Sequence, residues 1–196
     1  MSSQTAVQSI TEQDLLRYGA QGQPVEVVNG EIVAVTGVGV RHSMIAANLY
    51  RILYAFVMQS GLGLVFTDGL IYVLKRNPDG SIRKSRIPDA SFVRRERIPA
   101  DFDLSKAFPG APDLAVEVVS PTEATTDTAD KINDYLAEGT EQVWVFYPDQ
   151  KEMHQYRRGS DTIRVYKSQD VIDAEAILPG LTITAGEVFV LPGLEK

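Results

Sequence analysis

Glu117 stands in the run Leu114-Ala115-Val116-Glu117-Val118-Val119, a single carboxylate inside an otherwise apolar, β-branched stretch. A run that is apolar on both faces predicts a strand buried in the middle of a sheet. Ionised carboxylates are almost never fully buried without a cation or hydrogen-bond donors to hold them. The chain must therefore bring Glu117 to an open sheet end or give it a positive partner, and a metal ion is the partner this pattern favours.

The rest of the composition narrows the chemistry. A length of 196 residues predicts one domain over 1–196, with its core over about 25–157. There is no cysteine, which removes disulfides, thiolate zinc sites and a cysteine nucleophile, and fits a reducing cytoplasm. Met1 to Ala20 is polar, without a signal-peptide core, and no apolar run approaches the roughly 18 residues of a membrane span. A cytoplasmic protein is expected.

The net charge of −7 argues against bulk electrostatic coating of nucleic acid. The charge is uneven, however. Between Lys75 and Arg97 eight basic residues face only Asp79, Asp89 and Glu96. That arm reads either as a solvated hairpin with basic edges or as a local phosphate-contacting surface, with Arg83, Lys84, Arg86, Arg94 and Arg95 as the contacts.

Local signals predict a mixed α/β architecture. A short helix is expected over Thr11–Tyr18, with Thr11 as its cap. Asn29-Gly30 marks a hairpin between Pro24–Val28 and Glu31–Thr36. Ile45, Leu49, Ile52, Leu53, Phe56 and Val57 recur at helical spacing over Arg41–Gln59, and Gly61 closes that helix. Strands follow over Leu64–Thr67, Leu70–Leu74, near Asp89–Arg94, and over Leu114–Val119, which Ser120-Pro121 ends. A helix over Thr126–Glu138 leads to strands over Gln142–Tyr147, Glu152–Arg157 and Thr162–Tyr166. The unit from Leu114 to Tyr147 predicts a parallel crossover, within a mixed sheet flanked by helices and preceded by the hairpin.

Which acids can act together follows from geometry. Asp113 and Glu117 share a strand face but stand about 13 Å apart, too far to hold one ion. Asp89 opens a strand that can pair with the Glu117 strand, where opposed side chains approach within about 5 Å. Lys131 borders the apolar stripe of its helix beside Tyr135 and can reach over the sheet end to Glu117, or else pair with Asp127 or Asp134 on its own helix. Ser120 has no evident His–Asp partners, and Gly37-Val38-Gly39 lacks the rest of a phosphate-binding loop. His42 and His154 form no metal motif.

The ordered set Pro88-Asp89, Pro112-Asp113-Leu114-Ala115-Val116-Glu117-Val118-Val119-Ser120-Pro121, Lys131-Ile132-Asn133-Asp134-Tyr135-Leu136 and Val143-Trp144-Val145 resembles the Uma-type restriction-endonuclease-like family, a branch of the PD-(D/E)XK nuclease superfamily. The likeness runs from about Val25 to Arg157. It implies a restriction-endonuclease-like core with a Mg²⁺ or Mn²⁺ site at one sheet end, with Asp89 and Glu117 as the metal-binding acids. The superfamily lysine two residues after the glutamate is replaced by Val119, and the resemblance supplies it from the next helix as Lys131. It also marks Glu31 and His42 as accessory residues.

The resemblance implies a metal-dependent endodeoxyribonuclease acting on DNA, leaving a 5′-phosphate and a 3′-hydroxyl, and consistent with a homodimer, since cutting both strands takes two sites. Val119 and the acidic total charge favour an alternative, a catalytically inactive nucleic-acid-binding or protein-interaction module on the same scaffold. A hydrolase of small phosphoesters is the third possibility.

Overall fold

The computed structural model describes residues 9–120 and 125–191. Pro121, expected to end the Glu117 strand, lies outside them. So does the stretch before Ser9.

Local chemistry sets the element ends. Helix α1 (Glu12–Ala20) opens on a reciprocal cap: Thr11 Oγ1 accepts from Asp14 N, and the Asp14 carboxylate accepts from Thr11 N at 3.0 Å. Strands β1 (Val25–Val28) and β2 (Glu31–Ala34) form the expected hairpin. Both turn residues, Asn29 and Gly30, take positive φ (53° and 86°), as a two-residue turn matched to strand twist requires. Helix α2 (Val40–Ser60) ends at Gly61, whose φ of 70° closes it in the left-handed conformation.

The remaining elements are β3 (Gly63–Thr67), β4 (Tyr72–Arg76), β5 (Ile82–Arg86), β6 (Ala90–Arg94), β7 (Phe108–Pro109), β8 (Leu114–Val118), α3 (Thr125–Ala137), β9 (Gln142–Tyr147), β10 (Glu152–Arg157), β11 (Arg164–Lys167) and α4 (Ala185–Phe189). They build two sheets. The central one, ordered β11-β10-β9-β8-β6-β3, is mixed: β8 and β9 run parallel across α3, and its other pairs are antiparallel. The second, β2-β1-β5-β4-β7, carries the hairpin.

Strand β8 lies inside the central sheet and alternates between two cores. Leu114, Val116 and Val118 pack with Ile45, Leu49 and Leu53 of α2, where Ile177, Leu178 and Val188 of the C-terminal segment join them. Ala115 faces the other way, with Tyr135 and Ile132 of α3 and Val143 and Val145 of β9. Glu117 has the parity of Ala115, so its carboxylate is delivered to the α3 side.

The basic arm departs from the solvated hairpin its charge suggested. Its second strand, β5, is internal, paired with β1 on one side and β4 on the other. Arg86 at its end is only 5% exposed. The guanidinium donates from Nη1 to Glu26 Oε2 (2.7 Å) and from Nε to Asp134 Oδ2 (2.9 Å), and Lys84 pairs with Asp134 as well. Sequence charge misled here because the compensating acids lie 48 and 60 residues away along the chain.

Removing one member of a buried ion cluster strands the others. Asp134→Ala is expected to cost about 3–5 kcal/mol, read as a lower urea midpoint. Arg41→Ala, which breaks an exposed pair with Asp149, should cost less than about 1 kcal/mol. Equal effects of the two would show that the Asp134 cluster is not held as described.

Candidate active site

The β6–β8 register ends by pairing Ala90 with Val116, so Asp89, just before β6, and Glu117, one residue on in β8, lie at the same end of the ladder. Asp89 closes that ladder twice: its N–H donates to Val116 O (3.0 Å), and its Oδ2 accepts from Val118 N (2.6 Å). The first turn of α2 brings His42 to the same carboxylate, with Nε2 3.2 Å from Asp89 Oδ2. His42 is 7% exposed, and its Nδ1 has no hydrogen-bond partner among the described residues.

Glu117 is 4% exposed. Lys131 Nζ donates to its Oε2 and Tyr135 OH to its Oε1, each at 2.9 Å. The contact from Lys131 to the sheet end is therefore formed, while Asp134 turns to Lys84 and Arg86. Burial pushes the Glu117 carboxyl up to about 8; the Lys131 charge opposes the rise, and Asp89 and Glu26 add to it. For His42 the order differs. Burial alone would lower the imidazole, but the hydrogen bond and charge of Asp89, then the charge of Glu117, hold it above its ordinary value. Burial, with Glu117 beside it, also raises the Tyr135 phenol well above the ordinary range.

A cavity of about 500 Å³ opens beside these groups, walled by Glu26, Val33, His42, Asp89 and Lys131 among others. Glu117 is not part of the wall; Lys131, which is, contacts it. The sequence pattern did not single out Glu26. It is buried on β1, its Oε1 accepting from Ile87 N at 2.9 Å and its Oε2 from Arg86. The signal was present all the same, since Val25-Glu26-Val27-Val28 is a second apolar run holding one carboxylate.

The other candidates lie elsewhere. Glu31 is exposed at the start of β2, opposite Val28, and does not wall the cavity. Arg94 pairs with Asp113 and Glu141 at the opposite end of the β6–β8 ladder. Arg83 and Arg95 are exposed. His154 packs its ring on Tyr147, with centroids 4.4 Å apart. Among the described residues, no three His, Cys, Asp or Glu side chains cluster as a ready metal cage, and no helix is long and apolar enough to cross a membrane.

The chain matches the Uma2 family model, described as "Putative restriction endonuclease", over residues 12–186. Among solved structures it is similar to a "putative nuclease belonging to DUF820" from Anabaena variabilis. That likeness has 20% identity and a TM-score of 0.72, covering 89% of this chain and 97% of the other, and it concerns the fold. No curated protein matches.

The raised Glu117 carboxyl has a thermodynamic sign. Between about 4.5 and about 8 the folded state holds a proton that the unfolded chain has released. Stability without divalent metal is therefore full below the lower value and falls as pH rises through the window, by up to about 1.4 kcal/mol per unit. The raised His42 imidazole acts in the same direction. Urea unfolding in EDTA from pH 5 to 8 should show this decline, flattened in Glu117→Gln. A stability flat with pH in the wild type would contradict the raised carboxyl.

Proposed function

Since the chain belongs to the Uma2 family of restriction-endonuclease-like proteins, we propose that it is a metal-dependent endonuclease that hydrolyses phosphodiester bonds in DNA. One observation supports this above all: β6 pairs with β8 so that Asp89 and Glu117 lie at one sheet end, beside a cavity lined by Asp89 and Lys131.

The donor set fits Mg²⁺ or Mn²⁺. Two carboxylates supply hard oxygen ligands, and Mg²⁺ commonly keeps its waters and takes one or two carboxylates plus substrate phosphate rather than a protein cage. The Glu117 carboxyl is raised by burial first, with Asp89 and Glu26 adding to it, so a cation brought beside it would be favoured over a proton. Asp89 and Glu117 would hold the ion, which when bound supplies an acidified water and polarises the scissile phosphate.

The protein's own groups prepare that chemistry. His42 and the Val118 N–H fix the orientation of Asp89. Tyr135 fixes Glu117 by its Oε1. Lys131 neutralises charge that develops on the phosphate oxygens as water attacks phosphorus and the bond to the 3′ oxygen breaks. Arg83 and Arg95 can contact the DNA backbone from the surface, whereas Lys84, Arg86 and Arg94 are engaged with carboxylates of the chain.

A nuclease-like scaffold that binds without cutting is the alternative, and one observation favours it. Both Glu117 oxygens already accept hydrogen bonds, so an ion must compete with the Lys131 ammonium.

The two separate by experiment. Mn²⁺ should raise the melting temperature of the wild type and not of Asp89→Ala or Glu117→Ala, and both variants should lose cleavage while keeping native circular dichroism. Lys131→Met should keep the metal-dependent rise yet cut about a hundred-fold more slowly. Retained cleavage in both acid variants would sink this site. DNA binding with neither a metal-dependent rise nor cleavage would establish the alternative.

A further inference from the structure

The cavity has two unlike walls. One carries the polar groups of the proposed site: His42, Asp89 and Lys131. The other is aliphatic and comes from the hairpin and the strand beyond it. The β1–β2 register sets Val33 opposite Glu26 and Val28 opposite Glu31, so Glu26, Val28 and Val33 share one hairpin face, and Val35 continues its parity. Val28, Val33, Val35 and Val38 all line the cavity. Of these, Val33 and Val38 remain 45% and 46% exposed. Aliphatic side chains left in water within a recess, opposite a few convergent polar groups, have the anatomy of a ligand wall.

Charge adds a second constraint. Asp127 and Asp130 line the cavity in addition to Glu26 and Asp89, against Arg86 and Lys131, and the whole chain carries −7. Broad electrostatic attraction cannot supply most of the affinity for a polyanion here. Contact with an apolar part of the substrate must contribute. In a nucleic acid that part is the face of a base. Paired bases cover their faces by stacking on neighbours and offer only polar edges in the grooves, whereas an unpaired nucleotide can lay its face on an apolar wall while its phosphate reaches the opposite side. A recess of about 500 Å³ has the size of a small-molecule pocket, enough for a single nucleotide.

We infer that the valine wall seats an unstacked base, so that the substrate is an unpaired nucleotide in single-stranded DNA or in a flap, with Val33 and Val38 as specificity-determining residues. This rests on the nuclease assignment and deepens it.

The test compares one labelled oligonucleotide, single-stranded and as its duplex, bound by full-length Asp89→Asn under fluorescence anisotropy. The wild type in EDTA repeats the comparison should the variant fold poorly. The single strand should bind about ten-fold tighter, the low end of what a base stacked on an aromatic side chain contributes, as suits an aliphatic wall. Val33→Ser/Val38→Ser should erase most of that preference while leaving duplex binding and the melting temperature unchanged. Equal or tighter duplex binding, or a preference untouched by the valine changes, overturns the inference. Cleavage by the wild type in Mn²⁺ separates its failure from that of the parent assignment. If both substrates are cut equally and independently of the valines, the nuclease stands and the base seat falls. If nothing is cut but a valine-dependent preference for single strands persists, the nuclease falls and the base seat stands.

Discussion

A carboxylate in the interior of a sheet must be compensated, and the arrangement around Glu117 follows from that demand. Its own oxygens are held from α3 by Lys131 and Tyr135. Across the ladder, Asp89 is held by the Val118 N–H and by His42 from α2. On the hairpin, Glu26 is held by Arg86 and the Ile87 N–H, and Asp134 of α3 ties Arg86 and Lys84 of β5 to the same assembly. Each acid comes from a different segment, and the cations come from β5, α2 and α3. The charges therefore join the two sheets and two helices at one place, and each ion pair is made across distant parts of the sequence.

That explains what could be read in advance. Features set by a few consecutive residues were legible: the Thr11 cap, the Asn29-Gly30 turn, the Gly61 stop, and strands β9 and β10 to the residue. So was the pairing of β6 with β8, because the apolar run of β8 demanded a central place and the strand after Asp89 was available to flank it. Features set by distant charge were not. Arg86 looked like surface because its sequence neighbours are basic, and only the fold reveals Glu26 and Asp134 beside it. The choice of Lys131 between Glu117 and its helix neighbours could not be made from helix geometry alone. It turns on Asp134 being engaged by cations from another sheet. Glu26 carried the same signature as Glu117, on a run too short to stand out.

The basic arm shows how far local charge can mislead about function. Its density suggested a strip for phosphate, yet Lys84 and Arg86 brace the floor of the candidate site, and Arg94 braces the far end of the β6–β8 ladder. The arm supports the site more than it extends it. Attraction of a polyanion is correspondingly weaker than the segment's composition implies, which places more of the recognition on the cavity itself.

The network also differs from an ion cluster that serves stability alone. Glu26, Asp89 and Asp134 face Lys84, Arg86 and Lys131, while burial keeps the proton on the Glu117 carboxyl and His42 tends to carry one as well. Asp89 favours that proton, and burial opposes it. Ionising Glu117 would add a further negative charge in a buried setting, and that burial is what lifts its carboxyl. A hydrophobic or fully paired replacement would fold better, because burying an incompletely matched set of charges has no stabilising return. Such a carboxyl is readily understood where a cation is to be received. Under the metal-site proposal, the cost of burying an ionised Glu117 and the affinity for a divalent ion would be one electrostatic quantity, and a change that relieves the first would weaken the second.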